Sequence, residues 1–134
     1  MVLNVHLDAS YITPIRERSR AHGHFLLGLI PVDREHIVLN GAILILSTIL
    51  KCVAASADKA ELGTLFLNAQ EELFFGLPSK NWGIHNLQPR ISCENATAVY
   101  IVNYLIKRQR YQAINMRYLW LLCHQTQRIL HVSY

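Results

Sequence analysis

Three carboxylates stand where a side chain could do chemistry. Asp8 closes the alternation Leu3-Asn4-Val5-His6-Leu7-Asp8-Ala9-Ser10-Tyr11. Leu3, Val5, Leu7 and Ala9 share one parity and Asn4, His6, Asp8 and Ser10 the other, so a strand sends Asp8 to the face opposite the apolar set. A carboxylate placed there can serve as a metal ligand or an acid. An Asp that only ends a strand and starts a turn looks the same locally. Glu61 lies one residue before Leu62 and four before Leu65 in a helical pattern, at the border of the buried stripe. That is where a site residue sits, and also where an ordinary helix-favouring Glu sits. Glu94 falls between a short strand candidate, Arg90-Ile91-Ser92-Cys93-Glu94, and a helix opened by Asn95. His22 and His24 are spaced as a His-x-His metal pair, but with no third ligand nearby they read more simply as strand histidines.

The elements that must position these residues follow from periodicity and punctuation. The segment from Pro14 to His22 carries Arg16, Arg18 and Arg20 against Glu17 alone and reads as an exposed basic loop. His24 to Ile30 and Ala42 to Thr48 read as strands, with Asn40-Gly41 as the turn signal before the second. Ser56 caps a helix with Asp58 in its first turn, and Leu62, Leu65, Phe66, Ala69 and Leu73 keep helical spacing as far as Gly76 and Pro78. Gly63 inside that helix costs about 1 kcal/mol relative to Ala, which predicts a close neighbour. Gly76 to Pro89 reads as a loop. Ala98, Ile101, Val102, Leu105 and Ile106 mark a second helix, Ile114 to Cys123 a third, and Ile129 to Val132 a closing strand. The order of three strands, helix, strand, helix, helix, strand predicts an α/β fold. Its mixed five-stranded sheet has an antiparallel meander of the first three strands, two more beside the first in parallel, and helices covering it. Asp8, Glu61 and Glu94 then meet at one end.

With 134 residues, 51% of them hydrophobic, the chain can bury the core of one domain. Its longest apolar stretch, Ala42 to Leu50, is interrupted by Ser47 and Thr48 and falls short of the roughly 20 residues a bilayer crossing needs. No secretory signal opens the sequence, so an intracellular, membrane-free protein is expected, cytoplasmic or nuclear. Cys52, Cys93 and Cys123 have no metal-binding spacing and are odd in number, which predicts buried thiols in a reducing compartment. A net charge of +4 is compatible with a polyanionic partner.

Taken in order, the motifs resemble the ribonuclease H domain of copia-like retrotransposon polyproteins, nearly end to end. Asp8-Ala9-Ser10-Tyr11 is similar to that family's first-strand motif. Arg18-Ser19-Arg20-Ala21-His22-Gly23-His24-Phe25-Leu26-Leu27-Gly28 resembles its second strand. Asn40-Gly41-Ala42-Ile43, Ser47-Thr48-Ile49-Leu50-Lys51, Ala55-Ser56 and Ala60-Glu61-Leu62-Gly63 resemble the third strand and the catalytic helix. Glu94-Asn95-Ala96-Thr97-Ala98 stands where the family has an Asp-Asn pair, and Met116-Arg117-Tyr118-Leu119-Trp120-Leu121 is similar to its late helix.

The resemblance implies a ribonuclease H-like fold and hydrolysis of the RNA strand of an RNA:DNA hybrid with two magnesium or manganese ions. Asp8, Glu61 and Glu94 would be both metal ligands and catalytic residues, because hard cations take carboxylate oxygens. Three positions depart from the pattern. Glu94 replaces Asp, and its extra methylene moves the carboxylate by roughly 1.5 Å where a catalytic shell tolerates about 0.5 Å. Asn115 stands where an Asp is expected. No Asp or Glu follows Glu94, so the family's fourth acidic residue, beyond the last strand, has no counterpart before Tyr134. The expectation is a single truncated domain over residues 1–134, degenerate or weakly active, related to part of a reverse transcriptase polyprotein. The competing reading is a non-catalytic nucleic-acid-binding or structural module. Lys107, Arg108 and Arg110, beside Tyr111, and Arg117 farther on are its candidate backbone contacts. A solvated helix end would carry the same cations.

Overall fold

In the computed structural model, residues 2–13, 18–28, 39–51, 54–79, 89–103 and 115–134 are described. The alternation around Asp8 becomes β1 (Val2–Thr13). Leu3, Val5 and Leu7 go into the core, while His6 and Asp8 are exposed. β2 (Arg18–Gly28) runs antiparallel to β1, and β3 (Leu39–Ile49) antiparallel to β2. The short β4 (Arg90–Cys93) and β5 (His131–Ser133) continue the sheet in parallel on the other side of β1. The order is therefore β3-β2-β1-β4-β5, the mixed five-stranded sheet expected from the element order.

Three helices complete the fold: α1 (Ala57–Ser79), α2 (Ala96–Asn103) and α3 (Asn115–Thr126). Ser56 caps α1 as predicted, its Oγ accepting the Lys59 N–H at 3.3 Å. Leu62, Leu65 and Ala69 of α1 pack on Leu3, Val5, Leu7, Phe25 and Ile91 of the sheet, and Val102 of α2 and Leu121 of α3 join the same core. Burying a Leu or Phe side chain of this kind contributes about 1.5 to 3 kcal/mol, so this layer holds α1 in register with β1. Among the described residues, no helix is long and apolar enough to cross a membrane.

Several local expectations are corrected. Arg18 to His22 is the first half of β2 and not a loop, since Ser10 pairs with Arg20 and Asp8 with His22. Arg18 and Arg20 point outward while Ser19 and Ala21 are buried between them. Pro14 to Glu17, the rest of that segment, lies outside the described residues. Asn40-Gly41 makes no turn. It lies inside β3, where the pairing with β2 shifts twice between Phe25 and Gly28, each shift leaving one extra residue on β3. α1 runs past Gly76 and Pro78 to Ser79, because a proline in the last turn removes only one backbone donor. The closing strand begins at His131, two residues later than expected, and α3 extends to Thr126. Cys93 is buried as predicted but Cys123 is exposed, since it faces away from the stripe containing Leu121. Cys52, Leu105 and Ile106 lie outside the described residues.

Candidate active site

The parallel register of β1 and β4 pairs Leu7 with Cys93. Glu94 therefore leaves the end of β4 beside Asp8, which lies in the middle of β1, one residue past the last β1–β4 pair and itself still paired with His22 of β2. Open sheets with helices on their faces place ligands at such ends. Asp8 and Glu94 are both exposed. Glu61 enters from above, half-buried on the second turn of α1, next to the core residue Leu62.

Glu61 registers how near the other two are. Its pKa rises from 4.5 to about 7, first through burial, then through the negative charge of Asp8, with Glu94 adding a smaller push. The Ala9 backbone amide and the Cys93 thiol act in the opposite direction, since a donor stabilises the ionised carboxylate. The Cys93 Sγ lies 3.9 Å from Glu61 Oε2 and 3.9 Å from the Asn95 carbonyl. Burial, with the charges of Glu61 and Glu94 behind it, raises that thiol to about 11, so it stays protonated and can donate. The sequence reading missed this contact. By sequence Cys93 reads as a buried thiol, and its place directly before Glu94 is the one signal that could mark it.

All three predicted acidic residues thus come to the point beside β1 where its pairing with β4 ends. They supply the hard oxygen donors that a divalent cation takes, and their mutual repulsion is what a cation would relieve, so they suit such an ion in kind. Their present placement does not enclose one. Among the described residues, no three His, Cys, Asp or Glu side chains stand close enough together to hold a metal ion. His22 and His24 do not form a His-x-His centre either. His22 pairs across the strands with Asp8 and His24 with His6.

The fold has solved counterparts. LC11-RNase H1, isolated from compost by a metagenomic approach, superposes with a TM-score of 0.62 over 99% of this chain and 83% of its own, at 9% sequence identity. The fold is that of ribonuclease H. A second structure, LC11-RNase H1 in complex with an RNA/DNA hybrid, gives a TM-score of 0.59 over 98% of this chain and 83% of its own, at 10% identity. No family model and no curated protein matches the sequence.

Within the ribonuclease H-like frame, the predicted basic surface is only partly placed. Lys107, Arg108 and Arg110 lie outside the described residues. Arg117 is half-buried on α3 and sits over the Phe66 ring, 5.5 Å from its centroid. Phe66 meets Trp120 edge-on at 5.2 Å, and Trp120 stacks on His124 at 4.0 Å. The motif around Met116 to Leu121 therefore packs α3 onto α1, a role its resemblance to a late helix did not specify.

Proposed function

We propose that this chain is a retroelement-derived ribonuclease H-like domain that binds RNA:DNA hybrids and cleaves their RNA strand weakly, at a degenerate acidic site using magnesium or manganese. The observation that carries the reading is the convergence of Asp8, Glu61 and Glu94 from three separate elements, close enough for two of them to raise the third. The hybrid-bound neighbour supports the partner, and the ordered motifs from Asp8-Ala9-Ser10-Tyr11 onward support the retroelement origin and a relation to a longer polyprotein.

When bound, two divalent ions would hold the attacking water and the leaving oxygen of the phosphodiester. Asp8, exposed within β1, would be one of their ligands. Glu61 contributes only when ionised, so cleavage rises as the pH passes through about 7. To serve as a ligand it would have to give up the Cys93 thiol contact. Glu94 reaches too far by a methylene, which keeps turnover low.

A labelled hybrid incubated with magnesium or manganese tests the reading. Slow, metal-dependent cleavage that disappears in Asp8→Asn and increases in Glu94→Asp is expected. Cleavage that survives Asp8→Asn would place the chemistry elsewhere.

One observation favours a second reading, a non-catalytic nucleic-acid-binding module: no three of the described donor side chains stand close enough to hold an ion. Such a module keeps its hybrid affinity without metal and without Asp8. In either case, neutralising Lys107, Arg108 and Arg110 should flatten the salt dependence of hybrid binding, each lost phosphate contact removing roughly 0.7 to 0.9 from the log-log slope. An unchanged slope would assign those charges to solubility.

A further inference from the structure

The two edges of the sheet are built differently. β5 closes one side with three residues, His131–Ser133, and a strand that short offers a second chain little to pair with. β3 closes the other side with eleven residues, Leu39–Ile49, and among the described residues no strand pairs with its outer edge. Bulges, lysines and prolines are the usual means of blunting such an edge. Both register shifts of β3 fall between Leu39 and Leu44, so only that half is bulged. From Leu44 to Ile49 the pairing follows β2 residue by residue, from Phe25 to Arg20. This stretch, Leu44-Ile45-Leu46-Ser47-Thr48-Ile49, has no charge, no proline and no glycine, and its Ile and Thr residues favour a strand. Leu44 and Leu46 pack on the core, whereas Ile45, on the opposite face by alternation, is 64% exposed. A regular, apolar, uncharged edge of this kind is a template for a further strand.

We propose that the β3 edge pairs with the β3 edge of a second copy of this chain, antiparallel about a two-fold axis at Ile45, so that two sheets become one. The strand's own sequence argues for that occupant. Directly opposed residues of an antiparallel pair share a face, so a two-fold axis perpendicular to the sheet must be centred on a residue. Centred on Ile45, it sets Ile45 against Ile45 on one face and Leu44 against Leu46 twice on the other. Centred on Leu46, it would oppose Ile45 to Ser47 and Leu44 to Thr48 and keep a single apolar pair. Centred on Leu44, it would run the regular stretch onto the bulged half. β3 carries no charged side chain, so self-pairing brings no like charges together along the strand. The remaining edge of each copy is the short β5, and association therefore closes at the dimer. Leu44 to Ile49 supplies far fewer residues than the about 20 to 30 a side of a standard interface, so the dimer is reversible and forms on concentration. The pairing is independent of the acidic cluster, since β2 separates β3 from Asp8 on β1.

Sedimentation velocity of the intact chain over a concentration series tests the pairing, with Tm measured on the same samples. The wild type should move from 15.4 kDa towards twice that mass as the concentration rises. Ile45→Lys and Ile45→Glu should each weaken association by roughly tenfold or more, because the two-fold axis sets each new charge against its own copy. Mixed in equal amounts, the two variants should associate again, since opposite charges then face each other. Phe74→Lys, which alters an exposed apolar side chain on α1 instead, should associate like the wild type. If Ile45→Lys loses its fold, Ser47→Lys, exposed on the same edge, takes its place and should weaken association as well. A wild type that stays at 15.4 kDa at every concentration overturns the proposal. So does a dimer that survives the lysine on β3, or one that Phe74→Lys abolishes. Charge variants that fold but stay apart when mixed overturn the two-fold axis at Ile45, and a wild type that grows far beyond the dimer overturns the closed pair.

Discussion

Glu61 and Glu72 lie on the same helix, about three turns apart, and so project from nearly the same side. Both hold their protons far above the ordinary carboxylate range, Glu61 to about 7 and Glu72 to about 8. The causes differ. Glu72 is fully buried and burial alone raises it, whereas Glu61 is half-buried and feels Asp8 and Glu94 in addition. Around Glu72 are the buried Asn68 and Thr64, on the same stripe of α1, and Asn68 Nδ2 donates to the His22 carbonyl at 3.2 Å and to the Thr64 carbonyl at 2.9 Å. Repulsion between charges can be reversed by a cation, but burial cannot. One end of α1 therefore carries carboxylates that an ion would reorganise, and the middle carries a polar stripe that belongs to the packing.

The largest expected effect is on stability, at Glu72. Its folded-state pKa is raised, so the folded chain keeps a proton that the unfolded chain releases. Stability is then fullest below about 4.5, falls as the pH rises towards about 8, and levels off above it. The gap corresponds to at most about 5 kcal/mol. Glu72→Gln should remove that pH dependence and raise Tm at pH 8 by the corresponding amount, measured by thermal unfolding across pH 5 to 9. A variant that unfolds at lower temperature at pH 8 would show that the carboxylate is held ionised by a partner.

A smaller loss is expected from Gly23→Ala. A methyl group at Gly23 would run into the side chain of Asn68, which is itself tied to His22 and Thr64. Overpacking of this kind costs about 1 to 3 kcal/mol, and denaturant unfolding would read it. Glu61 should keep its titration, since the substitution lies on the packing side of the comparison. The smallest stability change belongs to Glu61→Gln. The raised pKa again has the sign that favours the neutral side chain as the pH passes from about 4.5 to 7, but solvent screening limits the gain to on the order of 1 kcal/mol. The same substitution should abolish hybrid cleavage, so it separates stability from activity where Glu72→Gln does not.

How much of this was legible in the sequence depends on side-chain size. β1 announces itself because Leu3, Val5 and Leu7 are large, and the strand order was readable from the succession of elements that starts with it. β2 hides its first half because its buried positions are Ser19, Ala21 and Gly23, small residues that leave room for α1 and give no apolar alternation. The caps at Ser56 and Asn95 were readable from residue type, but the bond from Asn95 to Asp58 was not, since it joins positions far apart in sequence. The burial of Asn68 and Glu72 could not be read either. It depends on Gly23 standing opposite, a relation set by the register of β2 against α1.

The most direct test is the titration of individual Glu side-chain carboxyls by NMR, with and without magnesium. Glu61 should titrate near 7 in the metal-free chain, shift to lower pH when magnesium is added, and lose that response in Asp8→Asn, while Glu72 stays near 8 throughout. Glu61 titrating unchanged at any magnesium concentration would contradict it, since the gathered carboxylates would then hold no cation.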